Sequence, residues 1–493
     1  MVIIMFSVII NIGERKIKKF LEKPIRVSDL LKSENISINM PCNGNHICGK
    51  CKVLVRGKTN KKEKKEISSL INEKNKDIRL ACSCVIEDNA EITILKENLS
   101  VLTWFSKDNI ISDKKGKGFI CDIGTTSIVI QIYDCEKNIL LGEESVENIQ
   151  KIYGADVLSR VQACKDNGVE VLSVRIRTQI EYIVNKLRYK FKIRSFSCGV
   201  ITGNSIMLHI FENISPLNLA VSPFKLEENF GRKSKYLISG VRPYLPYCIG
   251  AYIGADILCG LIFANMKNEI SLLIDIGTNG EMVLYKDEKY ISCSVASGPA
   301  FEGIGLACGM KAIEGAIYKA YDENKKVKVD VIGDTEVKGI CGSGIIDIIS
   351  ILKKRKIVDD SGYMRENFYI NNKIYITPED IRKIQLAKAA LCVGIYTLIE
   401  YTKINENEIN KIYLSGGLGS NLNIDSAIEI GLFPDSFRNK IEFLGNSALG
   451  GAKNILLNNN LKKMERRILD KTIEINLSSN NYFMNKYIEC MYF

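Results

Sequence analysis

Leu273-Ile274-Asp275-Ile276-Gly277-Thr278-Asn279-Gly280-Glu281 reads as an apolar strand that ends in an acidic, glycine-rich hairpin. Almost the same stretch occurs 153 residues earlier, as Ile120-Cys121-Asp122-Ile123-Gly124-Thr125-Thr126-Ser127. In each copy a carboxylate closes an apolar run. A glycine then removes the Cβ that would keep backbone amides from a phosphate, and hydroxyl or amide side chains add donors. Each copy is followed by a second apolar run, Ile128 to Tyr133 and Glu281 to Tyr285, so a whole strand-turn-strand unit is repeated. The repeat predicts a duplicated half-domain, with a nucleotide between two similar lobes and the hairpins gripping its phosphates from opposite sides.

A chain of 493 residues leaves room for two to four domains, with 46% hydrophobic and 25% charged residues, as in ordinary globular proteins. No run of 18 uncharged apolar residues occurs, so no membrane span is expected. The apolar start, Met1 to Ile10, lacks a basic region before it and a small-residue cleavage site after it, and reads as a first strand. The net charge of +11 is spread without a basic helix interleaved with aromatics, which argues against a nucleic-acid site. Of the 16 cysteines, those outside one cluster, such as Cys121, Cys198, Cys259 and Cys392, sit singly in apolar runs, as buried thiols of a reducing cytoplasm do.

Residues 1 to 97 carry the cluster. Two strands, Phe6 to Ile12 and Lys16 to Phe20, flank Gly13, and a short helix over Val27 to Lys32 is capped through Ser28 or its neighbours. Then come Pro41-Cys42-Asn43-Gly44-Asn45-His46-Ile47-Cys48-Gly49-Lys50-Cys51, a strand over Lys52 to Val55, and Leu80-Ala81-Cys82-Ser83-Cys84. The spacing is C-x5-C-x2-C, followed after 30 residues by another cysteine. Three cysteines on a glycine- and asparagine-rich loop, with a distant fourth, let thiolates converge while backbone amides donate to the sulfurs. Zinc sites usually pair two C-x2-C knuckles, and only one is present. The spacing exceeds the plant-type C-x4-C-x2-C by one residue and resembles the adrenodoxin-like ferredoxins, which hold a 2Fe-2S cluster in a β-grasp fold. That resemblance implies Cys42, Cys48, Cys51 and Cys82 as ligands, because Cys82 follows Leu-Ala as in those proteins. Cys84 is then a spare and His46 a local hydrogen-bond partner. The module holds 19 Lys and Arg against 12 Asp and Glu, a net of +7, which would steer it towards an acidic redox partner. Lys58 to Lys65 also reads as a solvated, mobile loop.

Asn98 to Lys117 has no sustained period and reads as a linker, pinned to one domain by Trp104 and Phe105. Beyond it, helical patterns cover Gly154 to Cys164, Val169 to Phe191, Tyr247 to Phe263, Ile345 to Lys354 and Ala387 to Thr402. Cys198 to Ser205 is a strand running into a glycine loop, and Ile412-Tyr413-Leu414-Ser415-Gly416-Gly417 is a strand ending in glycines. Neither a P-loop nor a G-x-G-x-x-G opening a helix is found.

Acidic hairpin, second acidic hairpin, then a strand ending in Ser-Gly-Gly resembles the phosphate-one, phosphate-two and adenosine motifs of the acetate and sugar kinase, heat-shock chaperone and actin superfamily. The resemblance implies an α/β, two-lobed actin-like ATPase of duplicated ribonuclease H-like lobes, residues 118–265 and 266–493. It implies that Asp122 and Asp275 hold Mg²⁺. It implies further that Gly124, Thr125, Thr126, Gly277, Thr278 and Asn279 contact the phosphates of ATP and that Gly416 and Gly417 back the adenosine. Glu281 and Glu302 are candidates for activating water.

A ferredoxin module ahead of this ATPase fold, with Ala296 to Gly303, Gly339 to Asp347 and the closing tail from Tyr482, resembles the reductive activators of corrinoid proteins. The resemblance implies an electron passed from the 2Fe-2S cluster to the Co(II) form of a corrinoid protein, restoring Co(I) at the expense of ATP. It implies as partners a corrinoid protein and a low-potential, acidic donor such as a ferredoxin or flavodoxin, with no nucleic acid and no membrane, and it admits a homodimer. A plant-type cluster lies near about −400 mV and the corrinoid couple lies lower. A gap of ~0.2 V costs about 5 kcal/mol, the size of differential binding that shifts a two-state equilibrium almost completely. Related activators often carry a further domain between linker and ATPase, whereas here Lys117 runs straight into the first hairpin, so that domain is expected to be absent. The alternatives are an ATP-driven electron donor to a 2-hydroxyacyl-CoA dehydratase, a redox-gated ATP-binding sensor, and a small-molecule kinase. The first uses a 4Fe-4S cluster between subunits, and the ferredoxin module argues against the last.

Overall fold

The computed structural model describes residues 5–12, 15–34, 51–70, 73, 75–94, 112–154, 156–324, 326–333, 335–418 and 422–493. They fall into two compact units, Met1–Ile110 with the short stretches Ile313–Gly315 and Val331–Glu336, and the remainder from Ile111 onward. Most of the expected linker, with Trp104 and Phe105, lies outside the described residues.

In the first unit β1 (Phe6–Ile12), β2 (Arg15–Leu21) and β3 (Ile25–Arg26) lead into α1 (Val27–Ser33), so Ser28 sits inside the helix's first turn. Then follow β4 (Lys52–Thr59), α2 (Lys64–Ser69), β5 (Ile78–Leu80) and β6 (Val85–Ile94). The sheet order is β2-β1-β6-β4-β5, with β3 on β6 and β1 parallel to β6. Alternate residues, Val8 and Ile10, Val53 and Val55, Ile92 and Ile94, face one core against Val27, Leu30 and Leu31 of α1. This is the β-grasp expected from the sequence. Lys58 to Lys65, read as a loop, instead spans the end of β4 and the start of α2. The reason is a buried pair: Arg79 Nε and Nη2 donate to Glu66 Oε1 and Oε2 at 2.8 and 3.0 Å, and Glu66 Oε1 also accepts from Leu80 N at 2.8 Å. A bidentate ion pair of this kind fastens α2 to β5.

The second unit opens with β7 (Lys117–Ile123), β8 (Ser127–Asp134), β9 (Ile139–Glu147), α3 (Val157–Asn167), α4 (Val169–Lys190), β10 (Cys198–Gly203), α5 (Ser205–Phe211), β11 (Arg232–Lys233), β12 (Tyr244–Leu245) and α6 (Ala255–Ala264). Its sheet runs β11-β12-β10-β7-β8-β9, an antiparallel β7-β8-β9 meander with β10 parallel to β7.

The second half supplies β13 (Ser271–Ile276), β14 (Gly280–Lys286), β15 (Lys289–Val295), β16 (Ala316–Glu323), β17 (Lys326–Val331), β18 (Gly339–Ile340), α7 (Gly342–Lys354), β19 (Phe368–Tyr369), β20 (Tyr375–Ile376) and α8 (Pro378–Thr402). It closes with β21 (Lys411–Ser415), α9 (Ile424–Glu429), β22 (Ile441–Gly445), α10 (Ser447–Leu457), α11 (Leu461–Asp470), β23 (Thr472–Glu474) and α12 (Asn481–Glu489). Its main sheet is β22-β21-β13-β14-β15-β23, again a meander with parallel strands on the side of its first member. The duplication read from the two hairpins therefore extends to the strand order of both sheets. The halves meet where α6 and α10 lie against each other. A Cβ on Gly451 would stand 1.9 Å from the carbonyl oxygen of Cys259, so only glycine allows this approach.

Several expected boundaries move for local reasons. α3 starts at Val157, behind the capping box of Asp156 and Ser159. α8 starts at Pro378, behind a second box of Thr377 and Asp380. Gly203 leads through the N-cap Asn204 into α5, not into a loop. Tyr247 to Phe263 is helical only from Ala255, because the amides of Ile249 and Gly250 both turn back to the Ile253 carbonyl. Among the described residues α8 alone has the length and composition to cross a membrane, and most of its apolar window is buried inside the fold.

Candidate functional site

In the first unit Cys51 immediately precedes β4 and Cys82 lies in the turn after β5, and the antiparallel register of those strands brings them together. Both are buried, with their Sγ atoms 3.4 Å apart. Two thiolates on one tetrahedral metal with bonds near 2.3 Å are separated by roughly 3.7 Å, so this pair fits a shared iron. Cys42, Cys48 and His46 lie outside the described residues. Cys84 is buried as well, and burial pushes its thiol up to about 11.

In the second unit both hairpins open on a cavity of about 580 Å³. Asp122, Gly124, Thr125 and Thr126 line it from the first half, and Asp275, Gly277, Thr278 and Asn279 from the second. Gly416 and Gly417, at the end of β21, line it too. The structure thus gathers every ATP-site residue singled out in the sequence around one space. Period-two alternation explains the aspartates: Cys121 and Ile123 point into the core, as do Ile274 and Ile276, leaving Asp122 and Asp275 on the cleft side.

Each hairpin is braced from behind. Asn148 donates from Nδ2 to the Gly124 carbonyl at 2.9 Å and from its backbone N–H to Thr126 O at 3.1 Å. Arg160, fully buried, donates to the carbonyls of Thr125 and, at 3.1 Å, Gly154. In the second hairpin Gly277 N donates to Asn279 O at 2.9 Å, and Ser297 Oγ to the carbonyls of Gly277 and Thr278 at 3.3 and 3.2 Å.

Further residues complete the cleft, and of these Asn204, Asn446 and Asp256 were not singled out in the sequence. Asn204 and Asn446 are N-caps of α5 and α10, and each turns its amide to the first hairpin, to Thr125 Oγ1 at 3.2 Å and to Asp122 Oδ2 at 3.0 Å. Their shared signal was legible, since Gly-Asn-Ser occurs at both Gly203–Ser205 and Gly445–Ser447. Asp256, in the first turn of α6, carried no such signal. Glu302, on the turn after Pro299, spans the two halves: its Oε2 accepts from Thr126 Oγ1 at 3.2 Å and its Oε1 from Thr278 Oγ1 at 2.5 Å. Ser415 Oγ donates to Asp275 Oδ2, and Gly416, with φ of +92°, lets the chain pass beside that carboxylate.

Asp122, Asp256, Asp275 and Glu281 crowd one side of this space. Desolvation raises all four, and repulsion from neighbouring carboxylates adds to it at Asp256, which is pushed up to about 8, at Asp122, pushed up to about 6, and at Glu281. A divalent cation would relieve that strain. Among the described residues no three acidic, His or Cys side chains form a closed metal cage. Mg²⁺ takes one or two carboxylates together with substrate phosphates and water, and the carboxylates of Asp122 and Asp275 are donors of that kind.

Three family descriptions match the chain in sequence order. Residues 20–87 match the "2Fe-2S iron-sulfur cluster binding domain", 117–269 the "RACo middle region", and 269–493 the "C-terminal domain of RACo the ASKHA domain". The second match covers the stretch read from the sequence as the first ATPase lobe, residues 118–265. The corrinoid activation enzyme RamQ of Eubacterium limosum is 31% identical over 424 residues, 77% of this chain and 71% of that protein. The [Co(II) methylated amine-specific corrinoid protein] reductase of Methanosarcina barkeri is 25% identical over 402 residues, 73% of this chain and 72% of that protein. In fold the chain is similar to a solved reductive activator for corrinoid, iron-sulfur protein, with a TM-score of 0.70 at 24% identity over 99% of this chain and 98% of the other. With these three regions in order, and a relative of which 71% is matched at 31% identity, the chain belongs to the family of reductive activators of corrinoid proteins.

Proposed function

We propose that this protein is an ATP-hydrolysing reductive activator that delivers one electron to the Co(II) form of a corrinoid protein and so restores Co(I). The observation that carries the reading is the presence, in one chain of this family, of a ferredoxin-type cysteine site and a two-hairpin cleft lined with carboxylates. A 2Fe-2S cluster, when bound by Cys42, Cys48, Cys51 and Cys82, supplies the low-potential electron.

The rest is the work of the chain's own groups. Asp122 and Asp275 take Mg²⁺ with the nucleotide. Gly124, Thr125 and Thr126 on one side, and Gly277, Thr278 and Asn279 on the other, grip the phosphates, while Gly416 and Gly417 lie along the adenosine. Because the two hairpins belong to different halves, gripping one triphosphate draws the halves together. Glu302, hydrogen-bonded to a threonine of each hairpin, and Glu281 are the carboxylates that could orient the attacking water. ATP then acts on conformation, with closure favouring a state in which the uphill electron step is offset by differential binding. The basic first unit suits an acidic, low-potential donor protein. We further infer a cytoplasmic protein, in which its many thiols stay reduced, and a homodimer is compatible with the reading.

An anaerobic assay tests it. Purified protein, a strong reductant, ATP and a Co(II) corrinoid protein from the same cell are mixed, and the Co(I) absorption is followed. Co(I) should form only when ATP is present. Reduction of the protein's own chromophore and hydrolysis of ATP without Co(I), for every corrinoid partner of that cell, would sink the reading in favour of a dehydratase donor or a sensor.

A further inference from the structure

The carboxylates of the cleft outnumber its cations. Asp122, Asp256, Asp275, Glu281 and Glu302 line it, and among the described residues a single basic side chain, Lys311, lines it with them. Its Nζ lies 3.3 Å from Oε1 of Glu147, at the end of β9 in the opposite half. The pair is half exposed, and Glu147 holds a second cation, Lys151. An exposed, single-contact ion pair of this kind is easily exchanged for a better partner.

The backbone that carries Lys311 is less free than its side chain. Met310 N donates to Ile340 O at 2.9 Å, and Ile340 N to Cys308 O at 2.8 Å. Gly303, at φ of +76°, lies so close to Met310 that a Cβ would stand 2.2 Å from its carbonyl oxygen. The segment is therefore fixed against β18 while a long, flexible basic side chain lines the cleft.

Resting on the reading of this cleft as an ATP site, we propose that Lys311 is a substrate-contacting residue that trades Glu147 for the terminal phosphate of ATP. Glu147 holds the ammonium in reserve on the other half, and the γ-phosphate, a stronger and less solvated partner once the cleft closes, takes it over. Because the bond to Glu147 is given up on binding, the two residues of one ion pair act in opposite directions on ATP.

Binding of Mg·ATP and Mg·ADP to full-length Lys311→Met and Glu147→Gln, each against the wild type, tests this, with circular dichroism as a check on folding. Lys311→Met should weaken Mg·ATP about tenfold, the loss of one charge-assisted hydrogen bond, and Mg·ADP far less. Lys311→Arg should restore most of the ATP affinity. Glu147→Gln should tighten Mg·ATP. If both variants shift ATP affinity in the same direction, or if Lys311→Met weakens ATP and ADP equally, the pair is merely a tie between the halves and the inference falls. Wild-type protein that binds no Mg·ATP would overturn the ATP reading itself, a result separable from either of these.

Discussion

Gly416 and Gly417 stand side by side in the sequence as one motif, yet the fold asks different things of them. Gly416 has φ of +92°, and a Cβ there would stand 2.4 Å from Ile276 O and 2.9 Å from Asp275 Oδ1. Gly417 has nothing within 4 Å of its would-be Cβ. Gly416→Ala should therefore destabilise the protein by ~1–3 kcal/mol through a left-handed backbone that alanine resists, and displace Asp275 enough to cost most of the ATP turnover. Gly417→Ala should leave the melting temperature nearly unchanged, so that any loss of ATP affinity in it reports the approach of a ligand. Calorimetry with an ATPase assay separates the two, and equal destabilisation would refute the distinction. The glycines were legible as a motif, but their separate jobs were not, since the close approach to Asp275 depends on how β21 lies beside β13.

At the level of elements, the alternation of apolar residues and the acidic turns foretold β7-β8 and β13-β14, because hairpin signals are local. The crossing of α6 on α10, and Glu302 between two threonines far away in sequence, depend on tertiary packing that no short window encodes. Helix α11 is a further case. Four of its ten residues are Lys or Arg, yet Glu465 within it is fully buried, and its Oε2 accepts from Tyr244 Oη at 3.1 Å and Tyr247 N at 3.4 Å. Burial, against the opposing pull of Lys462, pushes this carboxyl up to about 7. Its folded-state pKa lies above the ordinary value of 4.5, so between these limits the folded protein keeps a proton that the unfolded chain releases. Stability should fall as pH rises through that window, by on the order of 3 kcal/mol at most. Glu465→Gln, which keeps an acceptor for Tyr244 without the charge, should flatten this dependence and gain most on the wild type above pH 7. Urea unfolding at pH 5 and pH 8 checks it: an equal difference between variant and wild type at both would show that Glu465 does not titrate there.

At the scale of the whole molecule, the described cluster cysteines belong to the first unit and the nucleotide cleft to the second. Each substitution should consequently silence one function and spare the other. Cys82→Ser removes a thiolate 3.4 Å from Cys51 and should abolish the visible cluster spectrum while leaving Mg·ATP binding intact. Cys84→Ser, two residues on, replaces a thiol that burial keeps protonated, so the spectrum should persist. Asp275→Ala should do the reverse of Cys82→Ser, keeping the spectrum and losing ATP turnover, because the carboxylate held by Ser415 is the one proposed to take Mg²⁺ with the nucleotide. Corrinoid reduction, which needs the electron and the conformational drive together, should fail in both Cys82→Ser and Asp275→Ala and survive in Cys84→Ser. Loss of ATP binding in a folded Cys82→Ser protein would mean that the two units are not independent. Loss of the spectrum in Cys84→Ser but not in Cys82→Ser would move the fourth ligand by two residues along the chain.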